Sequence, residues 1–149
     1  SLAREGHQLT SGGVDLPDAY RCLPIHLLDL HINYVALREL STHVWYYVQI
    51  FAHLFGFESA VYGYGQYSRF LEAGARRFLF LLVSFYVDGG RLTDLRQAGQ
   101  ADLQLFNSAL ALLGTLTAAH KELPMAAKQH FLGTWHDLTA ALSQGTIAY

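Results

Sequence analysis

The sequence predicts an all-α fold, an antiparallel up-down-up-down four-helix bundle. Apolar residues between Leu23 and Phe55 recur at alternating steps of four and three, the spacing of one face of a long helix. No segment alternates apolar and polar residues for long enough to predict a strand. Pro124 cannot lie inside a helix, so it divides the last third of the chain into two helices. Short connections then make neighbouring helices antiparallel.

The first predicted helix runs from about Leu23 to Phe55 and ends at Gly56. Its seam consists of Leu23, Leu27, Leu30, Tyr34, Leu37, Ser41, Val44, Val48, Phe51 and Phe55. A helix of about 30 residues is roughly 45 Å long. Residues 56–66 contain glycines among aromatic residues and are predicted to form the connection to the second helix.

The second predicted helix lies within residues 67–90 and is the centre of the bundle. From Phe78 to Val87 every residue except Ser84 is apolar or aromatic, which predicts a helix surrounded by others. A bilayer requires about 20 such residues, so no membrane span is predicted. The seam of this helix is Leu71, Gly74, Phe78, Leu81 and Phe85. Gly74 is expected to mark a close helix crossing, and Asp88-Gly89-Gly90 is expected to end the helix.

The third predicted helix begins at Thr93 or Asp94 and ends around Glu122. Its seam is Leu103, Phe106, Leu110, Leu113, Thr117 and His120. The fourth helix begins at Pro124 and ends at Gly145, because proline is tolerated in a first turn and glycine often follows a helix. Its apolar face consists of Phe131, Trp135, Leu138 and Leu142.

Length and composition predict one domain with a large apolar surface to bury. Residues 1–14 are polar and rich in Gly and Ser and are predicted to be a flexible lead-in, with a single domain over residues 15–149. Apolar residues make up 52% of the chain and charged residues only 15%, which predicts a large core, an exposed apolar surface, or both. The net charge of −2 provides no electrostatic basis for nucleic-acid binding. A lone cysteine, Cys22, is typical of a reducing compartment, so a cytoplasmic protein is expected.

The sequence predicts no catalytic residue, metal site or cofactor, and therefore no enzyme. The eight histidines do not occur at the i,i+3 or i,i+4 spacing that ligands on one helix face need. His120 is the one histidine on a predicted core stripe, which leaves a haem-, tetrapyrrole- or lipid-binding sensor as an alternative function. A homo-oligomeric structural bundle is the second alternative, because low charge and high apolarity suit a buried face.

Residues 67–80 resemble the second-helix signature of the C-terminal four-helix bundle in the Cas family of adhesion scaffolds. The positions that carry the resemblance are Ser68, Arg69, Phe70, Leu71, Ala75, Arg77, Phe78, Leu79 and Phe80. Asp94-Leu95-Arg96 is similar to the opening of the family's third helix, and Leu123-Pro124 to its last connection. The resemblance implies a focal-adhesion-targeting-like docking domain without catalysis. It also implies that the partner is an NSP-type adaptor or a leucine-rich helical motif.

The sequence therefore predicts a protein–protein docking domain of an intracellular signalling scaffold, cytoplasmic and associated with focal adhesions. Partner binding is expected on the outward side of the first two helices. The candidate residues are Ile32, Trp45, Tyr46, Arg69, Arg76 and Arg77. Large aromatic residues and arginines are enriched where binding energy concentrates at protein interfaces, which favours these positions.

Overall fold

The computed structural model describes residues 7–144, and its fold is α+β rather than all-α. The strands are β1 (Leu9–Asp15), β2 (Tyr34–Arg38), β3 (Trp45–Gln49), β4 (Leu82–Tyr86), β5 (Gly89–Leu95), β6 (Leu123–Ala126), β7 (Lys128–Phe131) and β8 (Thr134–Asp137). The α-helices are α1 (Glu58–Phe78), α2 (Gly99–Leu112) and the four-residue α3 (Ala141–Gln144). Short 3₁₀ helices cover Ala19–Cys22, Leu27–Ile32 and Ala119–Lys121.

The predicted first helix is wrong: residues 23–55 form a 3₁₀ helix and the β2–β3 hairpin instead. From Val44 to Phe51 nearly every residue is aromatic or β-branched, and these residues favour strands. In a segment so rich in apolar residues, steps of four and three can be traced even though no helix forms. Residues 39–43, which are polar apart from Leu40, are the turn of the hairpin rather than part of a helix.

The second predicted helix is wrong from residue 79 onward, and the fourth is wrong over most of its length. α1 begins at Glu58, inside the predicted connection, and ends at Phe78, so the most apolar residues form β4 instead. The segment Val87-Asp88 is a two-residue turn between β4 and β5, not a helix end. Residues 128–137 form the β7–β8 hairpin with Leu132-Gly133 at its turn.

The third predicted helix exists in a shorter form. α2 covers Gly99–Leu112 and buries Leu103, Phe106 and Leu110, three positions of the expected seam. The chain leaves the helix at Gly114, whose φ of +72° is a left-handed conformation that glycine adopts without strain. The later seam positions Thr117 and His120 therefore lie outside the helix.

The resemblance to the Cas-family bundle is wrong because the structure contains no four-helix bundle. Asp94-Leu95 closes strand β5, where the resemblance required the start of a helix, and Leu123-Pro124 opens strand β6. Only residues 67–78 of the matched segment are helical. Small, basic and apolar residues at those positions fit any amphipathic helix, which explains the similarity without a common fold.

The described chain divides into two compact units. Unit 1 contains the described residues up to 17 and from 67 onward, and unit 2 contains residues 18–66. The boundary falls within α1. None of the helices described combines the length and the apolarity needed to cross a bilayer.

Unit 1 is built on a four-stranded antiparallel sheet with the order β4-β5-β1-β6. β1 pairs with β5 along its full length, from Leu9 opposite Leu95 to Asp15 opposite Gly89. Residues 10–14 are all buried, so β1 is the central strand of this unit. Residues 9–14 were predicted to belong to a flexible lead-in, which is corrected here, while residues 1–6 lie outside the described part of the chain.

Small residues on β1 allow other elements to approach both faces of the sheet closely. A methyl group on Gly12 would lie 2.7 Å from the sulfur of Met125, 2.8 Å from the carbonyl oxygen of Leu123 and 3.3 Å from Leu103 of α2. Because side chains alternate along a strand, Ser11 points to the opposite face. There Arg91 lies 3.3 Å from the Ser11 hydroxyl and 3.0 Å from Nδ1 of His136 on β8.

Unit 2 contains the β2–β3 hairpin, the 3₁₀ helices at Ala19–Cys22 and Leu27–Ile32, and the first turns of α1. Its aromatic rings form one cluster: the half-buried ring of Tyr20 lies 5.0 Å from the exposed Phe55 and 5.6 Å from the buried Tyr64, both in edge-to-face geometry. The residues of the hairpin strands are exposed or half-exposed.

Candidate functional site

The β2–β3 hairpin has a regular antiparallel register. Tyr34 lies opposite Gln49 and Arg38 opposite Trp45, with Ala36 and Tyr47 at the middle. The register continues beyond both ends of the strands, since Glu39 N–H donates to the Val44 carbonyl at 2.9 Å and Ile50 N–H to the Asn33 carbonyl at 3.0 Å. The hairpin is therefore a well-defined two-stranded ribbon.

Both faces of this ribbon expose large apolar side chains. One face carries Val35, Leu37, Tyr46 and Val48, and the other carries Tyr34, Ala36, Trp45 and Tyr47. Tyr47 is 72% exposed, Trp45 54% and Leu37 53%. An antiparallel sheet in a folded protein normally covers one face with its core and leaves a polar face to water. Within residues 7–144 neither face of this hairpin is covered, and the only polar side chains of its strands are Arg38 and Gln49, both on the second face.

The charged residues at the hairpin tip are bonded to neighbouring residues of the same tip. Glu39 accepts hydrogen bonds from Ser41 at 3.2 Å, from Thr42 at 2.6 Å and from the Tyr46 hydroxyl at 3.3 Å. The hydrogen bonds from Thr42 and Ser41 hold the pKa of Glu39 below its usual value. On the other side of the tip, the Arg38 guanidinium lies 3.0 Å from His43 Nδ1 and 5.8 Å from the Trp45 ring centroid.

Side-chain amides attach the base of the hairpin to the preceding 3₁₀ helix. Asn33 is buried, and its Nδ2 donates to the carbonyls of Ile50 and Ala52, while Gln49 Nε2 donates to the Leu30 carbonyl at 2.9 Å. This 3₁₀ helix adds the exposed Leu27, Leu28 and Ile32 to the apolar surface. We name the exposed apolar residues of Leu27–Ile32, β2, the tip and β3 the hairpin surface.

Three of the six residues predicted to bind a partner lie on the hairpin surface. Trp45 and Tyr46 are neighbours on β3 and point to opposite faces, and both are about half exposed. Ile32 ends the 3₁₀ helix and is 71% exposed. These residues were predicted to face outward from a helix, and that helix is absent from the described residues. Their exposure to solvent is the only part of that prediction that the structure retains. Partner binding by these residues stays a prediction.

The other three predicted residues, Arg69, Arg76 and Arg77, lie on the part of α1 that belongs to unit 1 and are exposed. Arg76 is engaged within unit 1, because its Nη2 forms an ion pair with Glu72 at 2.9 Å and its Nε donates to the Val83 carbonyl at 2.9 Å. Arg76 therefore connects α1 to β4. Partner binding by the three arginines also stays a prediction.

Sequence reasoning missed Tyr34, Leu37 and Leu40, although they are among the exposed residues of the hairpin. The signal was present as a run of β-branched and aromatic residues, Trp-Tyr-Tyr-Val-Gln-Ile-Phe, preceded by the turn-forming Ser41-Thr42. Such a run has the length of a strand and is bounded by a polar turn, which is typical of one arm of a hairpin.

A cavity of about 490 Å³ also lies in unit 2, between Pro24, Ile32, His53 and Phe57. Two polar atoms of its lining residues, Asn33 Oδ1 and His53 Nδ1, are without a hydrogen-bond partner within the described chain. Both atoms are fully shielded from solvent. A small molecule in the cavity would not reach them in this conformation, so they do not form a ligand site.

Unit 1 has an apolar groove of about 300 Å³ between α1 and α2, lined by Phe70, Gly74, Phe78, Phe106 and Leu113. Nothing lies within 4 Å of the position that a Cβ at Gly74 would occupy. The predicted helix crossing at Gly74 is therefore wrong, and the groove is open at this point. No polar side chain lines it to orient a ligand.

The remaining candidates are the metal-ligating side chains, His120 and Cys22. In residues 7–144 no three His, Cys, Asp or Glu side chains come together in a way that would hold a metal ion. His120, the residue behind the haem alternative, is exposed in a 3₁₀ helix and not on a core stripe. Partial burial, and then the carboxylate of Asp18, raise the pKa of the Cys22 thiol, which disfavours the nucleophilic thiolate.

Comparison with known proteins assigns no family. No protein-family model matches the sequence, and no significant match is found among curated proteins. The candidate site therefore rests on the geometry of the chain itself, and the hairpin surface is its most developed feature.

Proposed function

We propose that this chain is a protein-binding module and that the hairpin surface is its binding site. The observation that carries the proposal is the exposure of large apolar side chains on both faces of β2–β3. Each aromatic side chain buries about 150–250 Å² when it is covered, so four half-exposed aromatic residues leave several hundred Å² of apolar surface. Exposed apolar area of this extent usually marks a binding site, and here it is divided between the two faces of the hairpin.

The chemistry of the hairpin surface favours a protein over a nucleic acid or a lipid surface. Binding of single-stranded nucleic acid combines aromatic stacking with a basic groove, and binding to an anionic membrane requires a basic flank. Arg38 is the one basic strand residue of the hairpin, and it is engaged with His43 and Trp45. Exposed tryptophan and tyrosine are enriched where binding energy concentrates at protein interfaces.

The test is capture of partners by purified protein and by two matched variants. Trp45→Ser with Tyr46→Ser removes two aromatic residues from opposite faces of the hairpin. Phe78→Ser with Leu112→Ser removes two exposed apolar residues of unit 1, which are 76% and 90% exposed. We expect a defined set of proteins to bind the wild type and the unit 1 variant and to be lost with the hairpin variant, as measured by quantitative mass spectrometry.

Thermal unfolding of the three proteins is the control for this experiment. Since Trp45 and Tyr46 are exposed, the hairpin variant should keep the melting temperature and the circular dichroism spectrum of the wild type. A hairpin variant that captures the same proteins as the wild type would contradict the proposed function. A hairpin variant that unfolds would show instead that these residues belong to a core.

A further inference from the structure

The outer edge of β3 is open for pairing with another strand. In an antiparallel pair, successive residues of a strand direct their backbone N–H and C=O alternately toward and away from the partner strand. Val44 and Ile50 bond to the β2 side, so by alternation Tyr46 and Val48 also bond to β2. The backbone groups of Trp45, Tyr47 and Gln49 point outward. Within the described residues, the sheet containing β3 has two strands, and β2 is the other.

The same edge already accepts a neighbour just beyond β3, which limits the length that stays open. Ile25 N–H donates to the Phe51 carbonyl at 3.1 Å, His53 N–H donates to the Leu23 carbonyl at 3.1 Å, and Pro24 bridges to Ala52. Toward the tip, the turn at residues 40–42 bends the chain away. The open edge is therefore residues 45–49, the length of β3 itself.

No charged or proline residue protects this edge. Proteins commonly prevent unwanted strand pairing with lysine, proline, a bulge or an inward-pointing charge on the edge strand. β3 has the sequence Trp-Tyr-Tyr-Val-Gln and contains none of these, whereas β2 carries Arg38 at its end. Self-pairing of β3 brings no like charges together, and like charges on directly opposite residues would oppose pairing.

We propose that β3 pairs antiparallel with β3 of a second copy of this chain, about a two-fold axis at Tyr47. In this register Tyr47 lies opposite its symmetry mate, and Trp45 lies opposite Gln49 of the other copy, so all outward backbone groups of β3 are paired. Tyr46 comes to lie opposite Val48 of the other copy, an aromatic–β-branched pair of the type that stabilises sheets. The product is a four-stranded sheet with the order β2-β3-β3-β2.

A second copy also accounts for the hairpin's lack of other support. A two-stranded hairpin in water is marginal, and three or more strands with a shared apolar face are needed for independent stability. Pairing at the edge leaves the aromatic side chains on both faces of the enlarged sheet, so backbone hydrogen bonds and the cross-strand Tyr46–Val48 contacts form the dimer interface. The dimer rests on the proposed function, because the same hairpin forms the dimer interface and the partner-binding surface. The edge of β3 forms the dimer, and the two faces of the enlarged sheet remain available to a different protein.

The test is the oligomeric state of the purified full chain over a range of concentrations, measured by light scattering after size exclusion and by analytical ultracentrifugation. Tyr47→Pro removes an outward N–H without removing a hydrogen bond to β2. Ala36→Pro makes the same change on the outer edge of β2 and is the matched control. We expect a dimer for the wild type and for Ala36→Pro, and a monomer for Tyr47→Pro.

If circular dichroism shows that a proline variant is unfolded, hydrogen exchange of the wild type still tests the dimer. In the wild type, protection of the Trp45, Tyr47 and Gln49 amides should rise with protein concentration, while the Tyr46 and Val48 amides should be protected at all concentrations. A wild type that stays monomeric, a Tyr47→Pro variant as dimeric as the wild type, or outward amides whose protection does not depend on concentration would each overturn the dimer. Loss of partner capture in the Trp45→Ser/Tyr46→Ser variant of a monomeric chain would still support the proposed function.

Discussion

β1 of unit 1 and β3 of unit 2 are both strands of antiparallel sheets, yet one is covered on both faces and the other on neither. β1 contains the small residues Ser11, Gly12 and Gly13, and other elements approach it to within van der Waals contact. β3 contains three large aromatic residues that stay exposed. The difference teaches that apolar character alone does not decide burial in this chain, because small residues let neighbouring layers close over a strand.

The largest effect is expected from a leucine-to-alanine substitution, made once in each unit. Leu103→Ala removes a fully buried side chain from α2, with 0% exposure, and should lower the free energy of unfolding of unit 1 by about 2–5 kcal/mol. Leu40→Ala removes a side chain that is 85% exposed at the hairpin tip and should change it by less than about 0.5 kcal/mol. Urea unfolding curves measure both. Equal effects would remove the distinction between the two regions.

The close approach to β1 predicts a substantial effect of adding a single methyl group. Gly12→Ala would place its Cβ 2.8 Å from the backbone oxygen of Leu123, and backbone cannot move as a flexible side chain can. We expect a loss of about 1–3 kcal/mol in the free energy of unfolding, as for other overpacked cores. Gly74→Ala is the control, since its Cβ meets nothing within 4 Å and helix propensity should stabilise it by up to about 1 kcal/mol. A neutral Gly12→Ala would mean that the layers over β1 are loosely packed.

The turn of the β7–β8 hairpin should gain stability from substitution. Leu132 has a φ of +51°, in the left-handed region that asparagine tolerates better than leucine, and its side chain is exposed. Leu132→Asn should raise the free energy of unfolding of unit 1 by about 0.5–1 kcal/mol, measured by thermal and urea unfolding. Leu132→Ala retains the steric problem and should bring no comparable gain. A destabilised Leu132→Asn would show that the leucine side chain contributes packing.

The smallest effect is expected on the pH dependence of the stability of unit 1. Hydrogen bonds from Lys128 and then from Thr139 lower the pKa of Asp137 from its usual 3.8 to about 2. A lowered pKa in the folded state stabilises the fold above about pH 4, and this contribution is lost as the pH falls through about 2. Between these values the melting temperature of the wild type should fall more steeply than that of Asp137→Asn. Parallel curves would show that the Lys128–Asp137 pair does not stabilise the hairpin.

The parts of the fold that the sequence predicted are those where one helical face is apolar and the other polar. α2 meets this condition, and Leu103, Phe106 and Leu110 are buried at their expected spacing. Elsewhere apolar residues are so dense that several periods fit the same segment, as in residues 23–55 and 78–87. Pairing between strands distant in sequence then decides the structure, and one sequence read locally does not contain that information.

The candidate surface was predictable in part. An apolar fraction of 52% with only 15% charge indicated an exposed apolar surface, and Ile32, Trp45 and Tyr46 are indeed exposed. The hairpin itself was not predicted, because Ser41 was counted as part of a helix seam. The open edge of β3 could not be predicted, because it depends on how the strands pair in the folded chain.

The position of unit 2 in the chain has a consequence for biosynthesis. Thr10 on β1 hydrogen-bonds to the Asp94 carbonyl, 84 residues later, and all of unit 2 is translated between the two. During translation β1 therefore stays unpaired until β5 has been synthesised. The aromatic hairpin has been synthesised completely by that time. Such distant pairing makes folding slow, and refolding from denaturant is expected to show unit 2 acquiring structure before the sheet of unit 1 closes.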